Sequence, residues 1–290
     1  MQTLDGKAVA EARRAQIKQD IAKFTQAQSR APGLAVILVG DDPASRVYVG
    51  SKVKTSTELG IKSSEHRLPA DITMQGLRKV IEGLNDDPAV DGILLQLPLP
   101  EPLNADQAIA WISPAKDADC LTPQNLGRLW SGRALTTPCT PWGVMAILEH
   151  YKIKTAGVNA VVVGRSNIVG KPMAHLLTQA DATVTVCHSK TKDLRAHLLN
   201  ADLVVVAAGK PEFLGKGDFK KGAVVIDVGI HRKEPESGGK AKLCGDVRLK
   251  ELEDTVQAAT PVPGGVGPMT ITMLMQNTLC LARARSSAGS

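Results

Sequence analysis

Residues 160–173, AVVVGRSNIVGKPM, are the segment that most restricts the fold of this chain. A run of apolar β-forming residues ends at Gly164, a loop carries Arg165 and Ser166, and Gly170 precedes a further apolar stretch. This order predicts a buried strand, a turn, and a helix whose free N–H groups and positive dipole end attract an anion. The chain is therefore predicted to bind a phosphate-bearing ligand at this loop.

The spacing within the loop distinguishes an ATP site from a dinucleotide site. A P-loop needs four residues between its glycines and then Lys followed by Ser or Thr, whose hydroxyl binds magnesium. Here five residues separate Gly164 from Gly170, and Lys171 is followed by Pro172, so ATP hydrolysis is not expected. The strict G-x-G-x-x-G fingerprint is also absent, which makes this a variant dinucleotide loop. A strand-to-helix turn without a ligand is the alternative.

The next predicted strand indicates which dinucleotide binds. ATVTVC, residues 182–187, ends roughly 20 residues beyond the loop, where an acidic residue would bind the ribose 2′-hydroxyl of NAD. His188, Ser189 and Lys190 stand there instead, and Arg165 lies on the first loop. Cations and hydroxyls suit a 2′-phosphate, which a carboxylate would repel. We therefore expect NADP as the cofactor, the alternative being that the lysine is a solvated surface charge.

Composition narrows the class of partner. The formal charge of +6 includes no block of five like charges, which favours an anionic small molecule over nucleic acid. With three Trp, two Tyr and three Phe, the chain also lacks a stacking platform for single-stranded bases. No apolar run approaches the roughly 20 residues that span a bilayer, and no Cys/His cluster suggests a metal.

The cysteines and the N-terminal segment indicate the compartment. The five cysteines are widely spaced and form no C-x-x-C pair, which is typical of reduced thiols. The first residues, MQTLDGKAVAEARRAQ, place charges where a signal peptide needs an apolar core. We therefore expect a cytoplasmic protein.

Both halves of the sequence alternate predicted strands with predicted helices. In the first half, strands are predicted at 34–39 and 91–97 and helices at 45–59 and 73–84. In the second half, strands are predicted at 160–163, 183–187, 203–207 and 223–228. Such alternation predicts parallel sheets covered by helices on both faces, hence an α/β fold. At 290 residues the chain is long enough for two domains, and the proline-containing segment 136–143 is the expected boundary.

The first half supplies candidate catalytic side chains. Tyr48 and Lys52 are spaced i and i+4 on a predicted helix, so they share one face. A lysine acts as an acid or base where burial lowers its pKa. Gln96 lies near the end of the strand 91–97, at the edge where α/β sheets bind ligands, and its amide can pair with a lysine. Two ordinary helix-surface residues and a glutamine that caps a loop are the alternatives.

Eight segments follow one another along nearly the whole chain. They are YVGSKVKTSTELGI, DGILLQLPLP, PAKDADCLTPQNLGRL, TPCTPWG, VVVGRSNIVGKPM, CHSKT, KGAVVIDVGI and TPVPGGVGPMT. Together they resemble the bifunctional methylenetetrahydrofolate dehydrogenase/cyclohydrolase family. The resemblance implies a folate-binding catalytic domain over 1–138, to which a C-terminal helix at 268–290 returns, and a Rossmann-like NADP-binding domain over 139–267. The active-site cleft is expected between these two domains.

The resemblance also implies roles for the residues that match the family's motifs. Lys52 matches the catalytic lysine, Tyr48 the aromatic residue that lines the folate site, and Gln96 the amide that tunes the lysine. Asp119 matches the carboxylate that binds the pterin ring. The remaining substrate-site matches are Pro263, Gly264, Gly265 and Thr270. The cofactor-site matches are Gly164, Arg165, Ser166, Ile168, His188, Ser189 and Ile230, and no metal is implied.

One position departs from the family pattern. Cys120 stands where a glycine is expected after the Asp119 motif. Its side chain is expected to alter substrate affinity before it alters the chemistry.

Two reactions are implied by the resemblance. In the first, hydride leaves the methylene carbon of 5,10-methylenetetrahydrofolate for NADP. In the second, water opens the methenyl product to 10-formyltetrahydrofolate, with Lys52 handling the protons. A homodimer that binds tetrahydrofolate derivatives, but neither nucleic acid nor membrane, is expected. An NADP-dependent dehydrogenase of another small substrate and a non-catalytic dinucleotide-binding protein are the alternatives.

Overall fold

The computed structural model describes residues 1–233 and 242–288, and the chain divides into two compact units. We name each unit after its main β-sheet. The three-strand unit consists of Ala12–Cys139 and the segment that begins at Ile271. The six-strand unit consists of Met1–Glu11 and Thr140–Thr270.

Helices and strands alternate through most of the described chain. The helices are α1 (Gly6–Gln28), α2 (Pro43–Leu59), α3 (Met74–Asp86), α4 (Ala105–Ala110), α5 (Pro123–Trp130), α6 (Cys139–His150), α7 (Gly170–Gln179), α8 (Leu194–Leu199) and α9 (Val266–Ala288). The strands are β1 (Gln2–Thr3), β2 (Gly33–Val39), β3 (Lys62–Leu68), β4 (Gly92–Leu95), β5 (Asn159–Val163), β6 (Thr183–Cys187), β7 (Leu203–Val206), β8 (Val224–Asp227), β9 (His231–Lys233), β10 (Lys242–Cys244) and β11 (Ala258–Ala259). A 3₁₀ turn covers Leu249–Leu252.

The sheet of the three-strand unit has the order β3-β2-β4, and both pairings are parallel. All seven residues of β2, GLAVILV, are buried, as expected for a central parallel strand covered on both faces. One face packs on the apolar sides of α3 and α4, through residues such as Ile37, Ile81 and Ile109. This packing fixes the positions at which the loops of the sheet's carboxyl edge begin.

Local sequence explains the bounds of α2, the helix that carries Tyr48 and Lys52. The Asp42 carboxylate accepts a hydrogen bond from Ser45 N at 2.7 Å, and Pro43 occupies the first turn. Gly60 ends the helix in the left-handed conformation, with φ 87°. The helix predicted at 45–59 is confirmed, and it begins two residues earlier than predicted because Asp42 provides the cap.

A short stretch beside β4 extends the carboxyl edge of this sheet. Ile93 N donates to Lys116 O at 2.6 Å, and Ala118 N donates to Ile93 O at 3.3 Å, in parallel register. The buried Asp117 then accepts hydrogen bonds from the backbone of Leu121 and Thr122. The chain after β4 and the chain after residue 118 therefore leave the same edge of the sheet.

The sheet of the six-strand unit has the order β1-β11-β8-β7-β5-β6, and all its pairings are parallel. Strands β7 and β8 are fully buried, and β5 is buried except at Asn159. The four strands predicted in this half and the two predicted in the first half are all present. A separate antiparallel pair joins β9 and β10.

Several elements were not predicted. Strand β3 has the polar sequence KSSEHRL and lies at a sheet edge, so it shows no apolar alternation. Strand β1 joins residues 1–11 to the six-strand unit by pairing with β11, a contact between distant parts of the chain. The helix predicted at 268–290 begins at Val266, and its residues 289–290 lie outside the described residues.

Candidate functional site

A buried lysine–amide pair lies at the carboxyl edge of the three-strand sheet. Lys52 on α2 is only 7% exposed, and its Nζ donates to Gln96 Oε1 at 2.8 Å. Gln96 follows β4, and its backbone N donates to Ile37 O at 2.9 Å. Its side-chain Nε2 donates to Leu97 O at 2.5 Å, which directs the amide oxygen toward the lysine. The sheet thus fixes the acceptor, and the helix supplies the amine.

Burial decides the protonation of this lysine. Desolvation lowers the pKa of Lys52, whereas the negative charge of Asp119 and a charge on Cys139 would raise it. Desolvation is the largest of these effects, so the pKa of Lys52 lies below its ordinary value. An amine of this kind can exchange a proton with a substrate more readily than a solvated lysine can.

Tyr48 lies one helical turn before Lys52, on the same face of α2. The side chain is half-buried, and burial raises the pKa of its phenol. The hydroxyl therefore stays protonated at neutral pH, and the ring is available to a flat ligand.

In the six-strand unit, the loops after β5 and β6 leave the same edge. Val163 pairs with Cys187, so the segments that carry Arg165 and Ser189 begin side by side. Gly164 has φ 132°, and a Cβ at this position would overlap the carbonyl oxygen of Ala207. Only glycine fits there, because both the backbone conformation and the close approach exclude a side chain.

Polar groups on these loops are partly organised by the backbone. Ser166 Oγ accepts from Val169 N at 3.2 Å and Gly170 N at 3.3 Å, which caps the start of α7. His188 Nδ1 accepts from Lys190 N at 3.1 Å, and this shapes the turn after β6.

The side chains exposed at this edge suit a phosphate-bearing dinucleotide. Arg165, Ser189 and Lys190 are exposed and offer positive charge and a hydroxyl. Ile168 is 41% exposed and Ile230 39% exposed, and both lie on loops that follow strands at the carboxyl edge. Apolar side chains in such a position suit the flat rings of a nucleotide.

The predicted substrate residues at 263–270 form a glycine-rich turn at the start of α9, within the six-strand unit. Gly264 has φ 103°, and its carbonyl accepts from Lys7 N at 3.0 Å. The hydroxyls of Thr270 and Thr140 are 3.0 Å apart. Pro263 is exposed and Gly265 is buried.

The two halves of the chain match the two domains of one protein family. Residues 4–119 match "Tetrahydrofolate dehydrogenase/cyclohydrolase, catalytic domain", and residues 138–286 match "Tetrahydrofolate dehydrogenase/cyclohydrolase, NAD(P)-binding domain". The chain belongs to the tetrahydrofolate dehydrogenase/cyclohydrolase family. The resemblance found in the sequence and the predicted fold class are thereby confirmed.

Individual relatives of this tetrahydrofolate dehydrogenase/cyclohydrolase chain cover almost its full length. A bifunctional protein FolD from Bdellovibrio bacteriovorus is 55% identical over 98% of this chain and 97% of its own. The crystal structure of the FolD enzyme from Campylobacter jejuni is 46% identical, with a TM-score of 0.92 and coverage of 98% and 99%. The structure of the Trypanosoma brucei enzyme, complexed with NADP cofactor and inhibitor, is 37% identical, with a TM-score of 0.94 and coverage of 98% of each chain.

The candidate residues divide between the two domains of the family. Tyr48, Lys52, Gln96 and Asp119 fall within the match to the catalytic domain. The cofactor residues and the 263–270 turn fall within the match to the NAD(P)-binding domain. The structure brings Lys52 and Gln96 into direct contact, and Asp119 is near enough to act on the charge of Lys52.

Two neighbours of this site were missed by the sequence reasoning. Cys139 Sγ donates to Ala118 O at 3.5 Å, and Asn277 Nδ2 donates to the same oxygen at 2.8 Å, so both hold the loop that carries Asp119. The segment TPCTPWG was noted only as a boundary and a family match, and nothing in the sequence connects it with a residue on the last helix. Both contacts become visible only in the tertiary structure.

The described residues contain neither a candidate metal centre nor a helix that could span a membrane. Nowhere in residues 1–233 and 242–288 do three His, Cys, Asp or Glu side chains group so that they could hold a metal ion. Among the helices of the same residues, none combines the length and apolarity needed to cross a membrane.

Proposed function

We propose that this chain oxidises 5,10-methylenetetrahydrofolate with NADP and then hydrolyses the methenyl product to 10-formyltetrahydrofolate. The observation that carries the proposal is the buried Lys52–Gln96 pair, at 2.8 Å, in a unit that matches the family's catalytic domain. The relatives named bifunctional FolD support both activities.

In the proposed cyclohydrolase step, Lys52 moves the protons. Water adds to the methenyl carbon, and Lys52 Nζ, in its neutral form, accepts the proton that the water loses. The bond from this carbon to N5 then breaks as the lysine returns a proton to N5, and the hydroxyl proton leaves as the formyl C=O forms. The net reaction consumes one water, opens the ring and releases the proton that balances the lost positive charge.

Two features of the site support this role. Burial lowers the pKa of Lys52, which increases the fraction of neutral amine available as a base. The bound methenyl substrate is itself a cation, and its charge would disfavour a protonated lysine further. Gln96 holds the amine by accepting from Nζ, so the lone pair keeps a constant direction as the proton moves.

Recognition of the folate is assigned to Asp119 and Tyr48. A carboxylate accepts two parallel N–H bonds from an aminopyrimidinone, which fixes the pterin ring in one orientation. The half-buried ring of Tyr48, one turn from Lys52, offers a flat apolar surface to the same ligand. The turn with Pro263, Gly264, Gly265 and Thr270 is proposed to complete the substrate site.

Recognition of NADP is assigned to the loops after β5 and β6. Bound NADP supplies the acceptor for the hydride that leaves the methylene carbon. Arg165 and Ser189 would bind the 2′-phosphate, and the N-terminal turn of α7 would attract the pyrophosphate. Gly164, Ser166, Ile168, His188 and Ile230 complete the proposed contacts. The NADP complex of the Trypanosoma brucei relative supports this choice over NAD.

The two activities can be measured separately. The chain is expected to reduce NADP only when methylenetetrahydrofolate is present, and to bleach the methenyl chromophore when no dinucleotide is added. NADP reduction with another small substrate, and none with the folate, would favour a different dehydrogenase. Binding of NADP with neither reaction would favour a non-catalytic protein.

We further propose that the chain acts in the cytoplasm as a homodimer. All five cysteines are free, which suits a reducing compartment. Light scattering is expected to give twice the chain mass of 30.7 kDa, and a mass equal to that of one chain would contradict the dimer.

A further inference from the structure

The loop that carries Asp119 is held at its neighbours on both sides. Ala118 O, one residue before it, accepts from Asn277 Nδ2 at 2.8 Å. Cys120 Sγ, one residue after it, donates to Thr136 O at 3.1 Å. The loop therefore has little freedom to rotate about the position of the carboxylate.

Asn277 bridges this loop to a second segment. The residue lies on α9 and is 0% exposed. Its Nδ2 donates to Thr137 O at 2.8 Å as well as to Ala118 O, and its Oδ1 accepts from Thr137 N at 3.3 Å. A buried amide whose donors and acceptor are all engaged fixes the separation of the two backbones it joins.

Cys139 holds the residue that precedes Asp119. Its side chain is 1% exposed, and its thiol donates to Ala118 O at 3.5 Å. Asn277 Nδ2 is 3.4 Å from Cys139 Sγ, so the amide also holds the thiol in place. Burial and the neighbouring carboxylate raise the pKa of Cys139 well above its ordinary value. The group therefore stays a neutral S–H donor to the carbonyl before Asp119 and adds no charge beside the carboxylate.

We propose that Asn277 and Cys139 are positioning residues that set the direction of the Asp119 carboxylate and thereby the affinity for the folate. The inference rests on the proposed function, in which Asp119 pairs with the pterin. Paired hydrogen bonds to a carboxylate need both of its oxygens in the plane of the ligand, so a rotation of the Asp119 side chain would break one of the two bonds. Neither residue needs to touch the substrate, because both act through Asp119.

The first test compares Asn277→Ala with Thr278→Val. Thr278 is the adjacent α9 residue, equally buried, and its hydroxyl donates only within its own helix, to Leu274 O. Asn277→Ala is expected to raise the cyclohydrolase KM for methenyltetrahydrofolate about tenfold, the effect of one hydrogen bond to a charged group. The Kd for NADP should not change, and Thr278→Val should change neither value. Equal KM values in the two folded variants would overturn the inference.

The second test asks whether the thiol donor matters, and it holds even where Asn277→Ala fails to fold. Cys139→Ser keeps a donor toward Ala118 O, whereas Cys139→Ala removes it. The serine variant is expected to keep a KM near that of the wild type, and the alanine variant to raise it, while melting temperatures report any general damage. Equal KM values for serine and alanine would overturn the role of Cys139.

The wild-type control separates this inference from the function on which it rests. A wild-type chain that converts neither methylenetetrahydrofolate nor methenyltetrahydrofolate would overturn the proposed function, and the positioning role with it. An active wild type whose folate KM is insensitive to both substitutions would overturn the positioning role alone.

Discussion

Replacing Lys52 by Met is expected to abolish the cyclohydrolase reaction while NADP binding persists. Lys52 is 7% exposed and its Nζ donates to Gln96 Oε1 at 2.8 Å, so Met fills a similar space while removing the group that moves protons and its bond to Gln96. A positioned acid–base group contributes about 10²–10⁴-fold to a rate, which corresponds to ~2.7–5.4 kcal/mol of barrier. The assay follows loss of the methenyl chromophore without dinucleotide, together with the Kd for NADP.

Stability distinguishes lost chemistry from lost structure in this variant. Because burial lowers the pKa of Lys52 below the value of 10.5 in the unfolded chain, folding disfavours the protonated lysine. Its contribution to stability therefore decreases as the pH falls below 10.5 toward the folded pKa. Lys52→Met lacks this penalty and should melt no lower than the wild type at neutral pH.

Lys54→Met is the matched control on the same helix. Lys54 is 78% exposed and its Nζ lies 3.9 Å from Glu58, so its loss should leave both reactions unchanged. Near-normal formation of 10-formyltetrahydrofolate by Lys52→Met would refute the assignment of Lys52. An equal loss of activity in the control would also refute it.

Three further substitutions test other parts of the account. Arg165→Ala should raise the KM for NADP roughly tenfold or more, since a hydrogen bond to a charged group contributes about 1.5–3 kcal/mol. An equal rise in the KM for the folate would instead indicate a structural arginine. Asp227 has its pKa raised from 3.8 to about 6 by burial, so the unfolded carboxyl ionises first and the unfolding free energy should fall as pH rises through that range. This decrease is on the order of 3 kcal/mol, and urea titrations at a series of pH values should not show it for Asp227→Asn. An unfolding free energy that depends on pH in the variant as it does in the wild type would contradict this explanation. Cys120→Gly removes the hydrogen bond to Thr136 O, whereas glycine suits the backbone φ of 57° at this position. The folate KM should therefore rise roughly two- to fivefold, which is the effect of one neutral hydrogen bond. A change confined to kcat would contradict the expected influence of Cys120 on affinity.

The sheets and their main helices were predictable because their signals are local. The apolar run at 160–163 and the glycine at 164 identify β5 and the turn after it. Asp42 and Gly60 mark the ends of α2 by capping, a property of a few adjacent residues. Gln96 could be assigned to a sheet edge because it stands near the end of the strand predicted at 91–97.

Other elements were missed, for different physical reasons. Helix α1 was not predicted, although Ile17, Ile21 and Phe24, which it buries, have helical spacing in the sequence. Strand β1 has only two residues, and its partner β11 lies at the opposite end of the sequence, so no local pattern indicates it. Strand β3 is polar because it lies at an edge, where one side of each residue meets solvent.

The candidate site was predictable only in part. The i, i+4 spacing of Tyr48 and Lys52 and the position of Gln96 followed from the sequence, and the family resemblance added Asp119. The support around Asp119 did not follow, because Asn277 is 159 positions from Ala118 and meets it only through the packing of α9. Hydrogen bonds of this kind depend on tertiary structure, which a single sequence does not reveal.

The stoichiometry of the two products shows whether one chain carries out both reactions. Purified wild-type chain is incubated with 5,10-methylenetetrahydrofolate and NADP, and NADPH and 10-formyltetrahydrofolate are both quantified over time. We expect equal amounts of the two products, with none of either when NADP is omitted. NADPH formation accompanied by methenyltetrahydrofolate that opens no faster than in buffer would contradict it, since the Lys52–Gln96 pair would then have no cyclohydrolase role.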